Sequence, residues 1–289
     1  MGLETIVSQF QFERVLSHDA RTKITHILGQ VQGQPAILTF EKAQYDDPDF
    51  AALAGKTRDL QDVTENNIYS WGSGVVDLGK PDTRVKAIYP ATELHIRKYE
   101  AQTRRMILET PEAYQRITLP YIRSLPAERT QWVDNILQGT SEADRVLYHD
   151  KSPDGFVVLP DMKWDGSREC LYWVAIAMRN DLGSLRDLTP DHLPLLRRIQ
   201  STAHSLAKEK FGIKPDELRL FLHYQPSYYH LHVHITAIAF ADAPGVVAGQ
   251  AHLLETVINN LELFPDYYQR VTLPFVLGEE HPLFLAHHQ

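Results

Sequence analysis

Cysteine is almost absent. Cys170 is the single thiol in 289 residues, which excludes an internal disulfide and points to a reducing, intracellular setting. Long apolar runs are missing too. The longest, Leu171 to Met178, falls far short of the roughly 20 residues that a membrane-spanning helix needs, so no membrane partner is expected. The first residues do not read as a secretory leader. Met1-Gly2 opens like a myristoylation signal, but Ile6 stands where that motif takes Ser or Thr. Positive charge is scarce, with 29 Lys and Arg against 37 Asp and Glu and a net charge of −8. That balance argues against tight, sequence-independent binding to long nucleic acid, because neutralising phosphates takes many cations. Repeats and low-complexity tracts are also missing. The remaining composition, 43% apolar and 23% charged, excludes wholesale disorder and a coiled coil, and the length suits one large domain or two. Histidine breaks the pattern: of 14, four fall between His223 and His234.

The first hundred residues read as strands and turns, at Lys23–Leu28, Pro35–Leu38 and residues 67–76, punctuated by Gly29, Gly33, Gly72 and Gly74. From Ala91 to Thr110 the spacing of Ile96, Tyr99, Thr103, Met106 and Ile107 predicts a charged helix. Pro111, Pro120 and Pro126 follow it, so residues 1–105 and 106–289 are expected to form two domains hinged near 91–110. In the second half, 155–160 and 171–178 are continuous apolar runs that suit buried strands. Thr189-Pro190 opens a helix with the core stripe Leu196, Ile199, Ala203 and Leu206, and Gly212 closes it. Strands at 219–224 and 230–240, a helix over 250–263 and a last strand at 269–276 complete an α+β domain with a mostly antiparallel sheet and flanking helices.

The segment 230–240 alternates without a break. Leu231, Val233, Ile235, Ala237 and Ala239 point one way, and His230, His232, His234 and Thr236 point the other. The apolar row is the core face, so the imidazoles share the opposite face at spacings of about 7 Å. Folding asks for no such row. Three readings compete: a solvent-exposed edge-strand face, a zinc site built from alternate imidazoles, and covalent catalysis at phosphorus by a neutral imidazole with its neighbours fixing the tautomer or binding phosphate oxygens. The last is favoured, because the zinc reading lacks a carboxylate or cysteine nearby. His223 ends the preceding strand, and the link Gln225-Pro226-Ser227-Tyr228-Tyr229 would bring the Ser227 and Tyr228 hydroxyls beside the imidazoles. Strand-end packing for His223 and ordinary strand packing for the tyrosines are the structural alternatives.

His230-Leu-His232-Val-His234 is the signature of the histidine triad superfamily of nucleotide hydrolases and transferases. The longer run from His223 to His234 resembles one branch of it, the scavenger mRNA decapping enzymes. Pro160-Asp-Met-Lys-Trp164, Ser184-Leu-Arg-Asp-Leu188, Gln131-Trp-Val133 and Glu142-Ala-Asp-Arg145 resemble it too, and the similarity reaches back through Ala91-Thr-Glu93 and Lys98-Tyr99. The resemblance implies hydrolysis of 7-methylguanosine triphosphate-linked dinucleotides or short capped oligoribonucleotides to 7-methylguanosine monophosphate plus a nucleoside diphosphate or short RNA. It also implies a homodimer with exchanged N-terminal halves, an active site between the two domains, and no metal or other cofactor. His232 is the nucleophile so implied, and His230, His234, His223, Ser227 and Tyr228 contact phosphate or assist the leaving group.

Trp132 matches the tryptophan that stacks on the cationic methylguanine, where cation–π attraction adds to stacking. Glu142 matches the acceptor for the guanine N–H edge. Pro160 adjoins Asp161 and Lys163, which match a pair contacting ribose and phosphate. Tyr69, Lys98 and Tyr99 match N-terminal contacts. By themselves Trp132 reads more often as a core residue and Glu142 more often as a solvated helix face. Gln250 replaces an arginine that the family often carries after the triad strand. Family members also carry a basic N-terminal extension for nuclear import, whereas this chain begins almost directly in its folded part; a cytoplasmic protein is expected, with the nucleus as a second compartment. The rival functions are a general hydrolase of dinucleoside polyphosphates or phosphoramidates, and a non-catalytic cap-binding regulator.

Overall fold

Alternating burial builds both halves of the chain. The structure, a computed structural model, describes all residues except Gln44, Asp46, Lys163, Asp165, Pro244 and Gln289. The chain divides into two units, Met1–Gln102 and Thr103–Gln289. Each mixes helices with antiparallel sheets, an α+β architecture. No helix among the described residues is long and apolar enough to cross a membrane.

The N-terminal unit holds α1 (Leu3–Gln9), β1 (Gln11–Asp19), β2 (Ile24–Val31), β3 (Gln34–Lys42), β4 (Thr57–Asn66), β5 (Tyr69–Val76), β6 (Thr83–Ile88) and α2 (Glu93–Tyr99). Four strands form a sheet in the order β1-β2-β3-β6. Gln32 and Gly33 turn β2 into β3 with positive φ at both positions, the backbone that a two-residue hairpin requires. Ile6, Val31, Ala36 and Leu38 form one small core of this unit, and Leu16, Leu28, Ile37 and Ala91 form another. β4 and β5 pair only with each other among the described strands, and β4 is exposed along its whole length.

The helix expected over Ala91–Thr110 is a correction. α2 ends at Tyr99, and β7 (Arg104–Glu109) follows as a strand. Its apolar residues that fit a helical spacing also fit a period of two: Ile107 and Glu109 are buried, whereas Met106 and Leu108 are exposed. Pairing with β14 (Leu273–Gly278) decides between the two periods. The last strand accordingly begins at Leu273 rather than Gln269, which lies in a helical turn.

In the C-terminal unit α3 (Gln131–Gln138) precedes β8 (Tyr148–His149), β9 (Phe156–Pro160) and β10 (Tyr172–Ala177). Then come α4 (Leu193–Phe211), β11 (Leu218–His223), β12 (His232–Ala237), β13 (Ala251–Leu253), α5 (Leu254–Leu263) and the C-terminal α6 (Pro282–His287). The antiparallel sheet runs β13-β11-β12-β10-β9-β8, which makes β12 a central strand. One face carries Trp173, Ala175, Leu220, Val233 and Ile235 into the main core, where α4 and α5 bury Leu196, Ile199, Ala203, Val257 and Leu261. Leu206 of the expected stripe is only half-buried. On a separate core, α3 seats Val133, Ile136 and Leu137 on Val157, Leu159, Val174 and Ile176. Gly139 and Gly212 close α3 and α4 in the left-handed conformation. The segment 250–253, expected as helix, instead supplies β13 at the sheet edge, and α5 begins at Leu254.

Trp173 is fully buried between Trp164 and Phe211, with ring centroids 6.2 and 6.0 Å away. Trp173→Ala leaves a large cavity and should cost about 3–5 kcal/mol in urea-induced unfolding.

Candidate active site

β12 is not an edge strand, because β10 and β11 flank it on both sides. His230, His232, His234 and Thr236 are all buried, which overturns the edge-strand reading. Burial of this kind requires each imidazole to find partners. His230 donates its Nε2–H to the carbonyl of Ala177 at 2.7 Å. His232 donates its Nδ1–H to the carbonyl of His230 at 2.8 Å, a bond within its own segment that fixes the tautomer. Its Nε2 therefore carries a lone pair, and this atom is buried with no hydrogen-bond partner among the described residues.

Burial pushes the His232 imidazole down to about 4, reinforced by the neighbouring His223 and His230 and opposed by the bond to the His230 carbonyl. The ring is neutral at physiological pH. It meets the His234 ring edge-on at 4.9 Å, closer than the strand repeat of about 7 Å, because the rings tilt toward each other. His234 lies 4.1 Å from the His223 ring and stacks on Phe221. Its Nδ1 is 3.1 Å from the Tyr172 hydroxyl. Desolvation holds the Tyr172 phenol protonated, so it can donate to that nitrogen. Tyr172 sits in an apolar run that read as core. The alternation that carries Val174 and Ile176 to the histidine face also carries Tyr172, and its pairing with Thr236 places it two residues from His234.

The link from Gln225 to Tyr229 folds back over the triad. Tyr228 stacks on His232 at 4.1 Å and 14°, so its ring covers the imidazole. The Trp132 indole meets Tyr228 edge-on at 4.8 Å and remains 43% exposed. It is a surface platform, and the core reading fails because α3 turns Val133 and Ile136 inward instead. Glu142 lies outside any long helix, at the start of a short turn with left-handed backbone. Arg145 holds its Oε2 and donates to the Pro160 carbonyl at 3.1 Å, so this carboxylate is fixed beside the end of β9. The Asp161 N–H donates to the Tyr172 carbonyl at 3.0 Å. Lys163 lies outside the described residues.

One cavity of about 710 Å³ is lined by Trp132, Glu142, Pro160, Asp161, His223, Ser227, Tyr228 and His234, together with Gln250. His230 and His232 do not line it; His232 lies behind Tyr228. Gly245 also borders the cavity, with φ of +81°, and an added Cβ there would sit 2.1 Å from His223 Nε2. Only glycine permits that approach. Sequence reading missed Tyr172 and Gly245, which carry no local signal, and quoted Arg145 only as the end of a motif, although its spacing of three from Glu142 is a local signal for the pair. Tyr69, Lys98 and Tyr99 belong to the N-terminal unit: Tyr69 is exposed on β5, and the Tyr99 ring packs 4.6 Å from His26. Among the described residues no group of three or more His, Cys, Asp or Glu is placed to hold a metal ion.

The buried neutral His232 has a consequence for stability. Its folded-state pKa lies below the ordinary 6.5, so between pH 6.5 and about 4 the unfolded chain binds a proton that the folded chain refuses. Acidification through that window should destabilise the fold, and His232→Asn should lose less stability between pH 7 and pH 5 than the unmodified protein in paired urea titrations.

Comparison with known proteins finds matches along both units. Residues 5–102 match the family described as scavenger mRNA decapping enzyme (DcpS) N-terminal. Residues 131–245 match that described as scavenger mRNA decapping enzyme C-term binding. The m7GpppX diphosphatase of Homo sapiens is 42% identical over 96% of this chain and 84% of its own length. That of Ascaris suum is 42% identical over 95% and 92%, and that of Schizosaccharomyces pombe 36% over 96% and 94%. With both units matched in order and relatives aligned along nearly all of its length, this chain belongs to the scavenger mRNA decapping enzyme family.

Proposed function

We propose that this protein hydrolyses m7GpppX, as a cap dinucleotide or short capped oligoribonucleotide, to 7-methylguanosine monophosphate and a nucleoside diphosphate or short RNA. The observation that carries this reading is His232 Nε2, a neutral lone pair with no partner among the described residues, near a cavity that an exposed indole borders. The cationic methylguanine stacks on Trp132, and the fixed carboxylate of Glu142 accepts hydrogen bonds from its N–H edge. Asp161 and Ser227 contact ribose and phosphate, and His223 and His234 bind the phosphate oxygens.

His232 Nε2 attacks the phosphorus next to the methylated nucleoside. The new P–N bond forms as the bridging P–O bond breaks, and the diphosphate leaves with the electron pair. Water then attacks the same phosphorus, the P–N bond returns its electrons to Nε2, and one proton passes to solvent. The His230 carbonyl keeps Nδ1–H in place throughout, so the ring is ready for the next turnover. Tyr228 must shift from its stack to admit the phosphate, and its return closes the site to water.

Incubation of m7GpppG with the protein, with and without a chelator, and chromatography of the products test the reading. We expect 7-methylguanosine monophosphate and GDP in both arms, and weaker turnover of unmethylated GpppG. His232→Asn should lower the rate by more than about 10⁴-fold while cap analogue still binds. Full activity in that variant would remove the nucleophile from the proposal.

The working form is a homodimer that exchanges its N-terminal units. The β4–β5 hairpin supports this: Leu60, Val63, Ile68 and Trp71 are exposed on it, Ile68 to 80%. A lone two-stranded hairpin is marginal in water, and such an apolar patch marks an association surface. Sedimentation should give a dimer and Trp71→Glu should shift it toward monomer; a monomeric unmodified protein would contradict the exchange.

A further inference from the structure

Outside the cavity, the most polar group of buried side chains surrounds Glu109. This carboxylate ends β7 and has no exposed surface. Arg186, buried as well, donates to it from Nη2 at 3.0 Å and from Nε at 3.3 Å. The same guanidinium donates from Nη1 to the carbonyls of Tyr268 and Val271, both at 2.8 Å. Glu109 also accepts from the hydroxyls of Tyr224 and Thr118 and from Gln225 Nε2, the last at 3.3 Å. His287 Nε2 lies 3.9 Å from it. A buried ion pair is weak evidence of stability, since apolar residues of similar volume often serve a fold as well. What directional hydrogen bonds supply instead is position.

Two of the donors open the link over the triad. Tyr224 directly follows His223, and Gln225 begins the segment that carries Ser227 and Tyr228. Gln225 then accepts from the Tyr229 hydroxyl at 3.1 Å, so its amide joins Glu109 to the far end of the same link. Burial and the nearby carboxylate keep the Tyr224 phenol protonated, which makes it a permanent donor. We infer that Glu109 is a positioning residue of the reaction: held by Arg186, it fixes the link 225–229 through Tyr224 and Gln225 and so sets Tyr228 over His232. This rests on the proposed hydrolysis at His232.

Tyr224→Phe removes the hydroxyl and keeps the ring in place, so it tests the inference even where Glu109→Gln fails to fold. The expected result with m7GpppG is a kcat lowered roughly 10- to 100-fold with KM within about twofold, since misplacement by an ångström suffices for that loss. A loosened link also admits water to His232, among His223, His230, His234 and Tyr228. The acid limb of kcat and the NMR titration of His232 should then both move from near 4 toward 6.5. A merely structural role would lower the melting temperature and leave both midpoints alone, as the core variant Leu196→Ala should. Unchanged kcat and unmoved midpoints in Tyr224→Phe overturn the inference, as does a rise in KM alone. If the unmodified protein does not hydrolyse m7GpppG, that reading fails by itself, and the NMR titration still decides whether Glu109 positions the link.

Discussion

Everything in the C-terminal unit depends on one central strand satisfying two unlike environments. β12 sends Val233 and Ile235 into the main core and His232 and His234 to the opposite face, and neither face is left to solvent. The apolar side anchors the strand by ordinary burial. The imidazole side is dry as well, so its polar atoms depend on partners within the protein. For His230 and His232 those partners are backbone carbonyls, which fix the tautomer of each ring. The free lone pair on His232 Nε2 follows from the Nδ1–H bond to the His230 carbonyl.

The link 225–229 connects this buried face to the cavity, because it covers His232 with the Tyr228 ring and touches the exposed Trp132 indole at its edge. The buried imidazole and the exposed indole thereby meet the same aromatic ring. The Glu109–Arg186 pair lies behind this link and meets it through side chains, so the dry face of the sheet and the link over it are referred to the same buried charge.

The two sheets of the N-terminal unit place their apolar residues differently. The sheet β1-β2-β3-β6 buries them in small cores, whereas the β4–β5 hairpin leaves them exposed. β7 illustrates how little separates the possibilities. Met106 and Ile107 fit the end of a helical stripe, and pairing with β14 makes them neighbours on a strand, one exposed and one buried.

Where a property is set within a few consecutive residues, the sequence was enough. The alternation from His232 to Ala237 determined that His232 and His234 share one face of a strand opposite an apolar row, since successive side chains of a strand must diverge; the strand expected over 230–240 is shorter, and His230 precedes it. The order of motifs from Trp132 to His234 likewise determined the family. Tertiary structure decided whether that face was wet or dry, because exposure depends on which strands flank β12 and what lies over it. It also decided which residues complete the site. Tyr172 reaches His234 through the register of two strands, Arg145 fixes Glu142 at the end of β9, and Gly245 makes room for His223. The contacts of Tyr172 with His234, of Arg145 with the Pro160 carbonyl and of Gly245 with His223 are not marked locally, because each depends on the distance between separate segments, and register and packing set that distance.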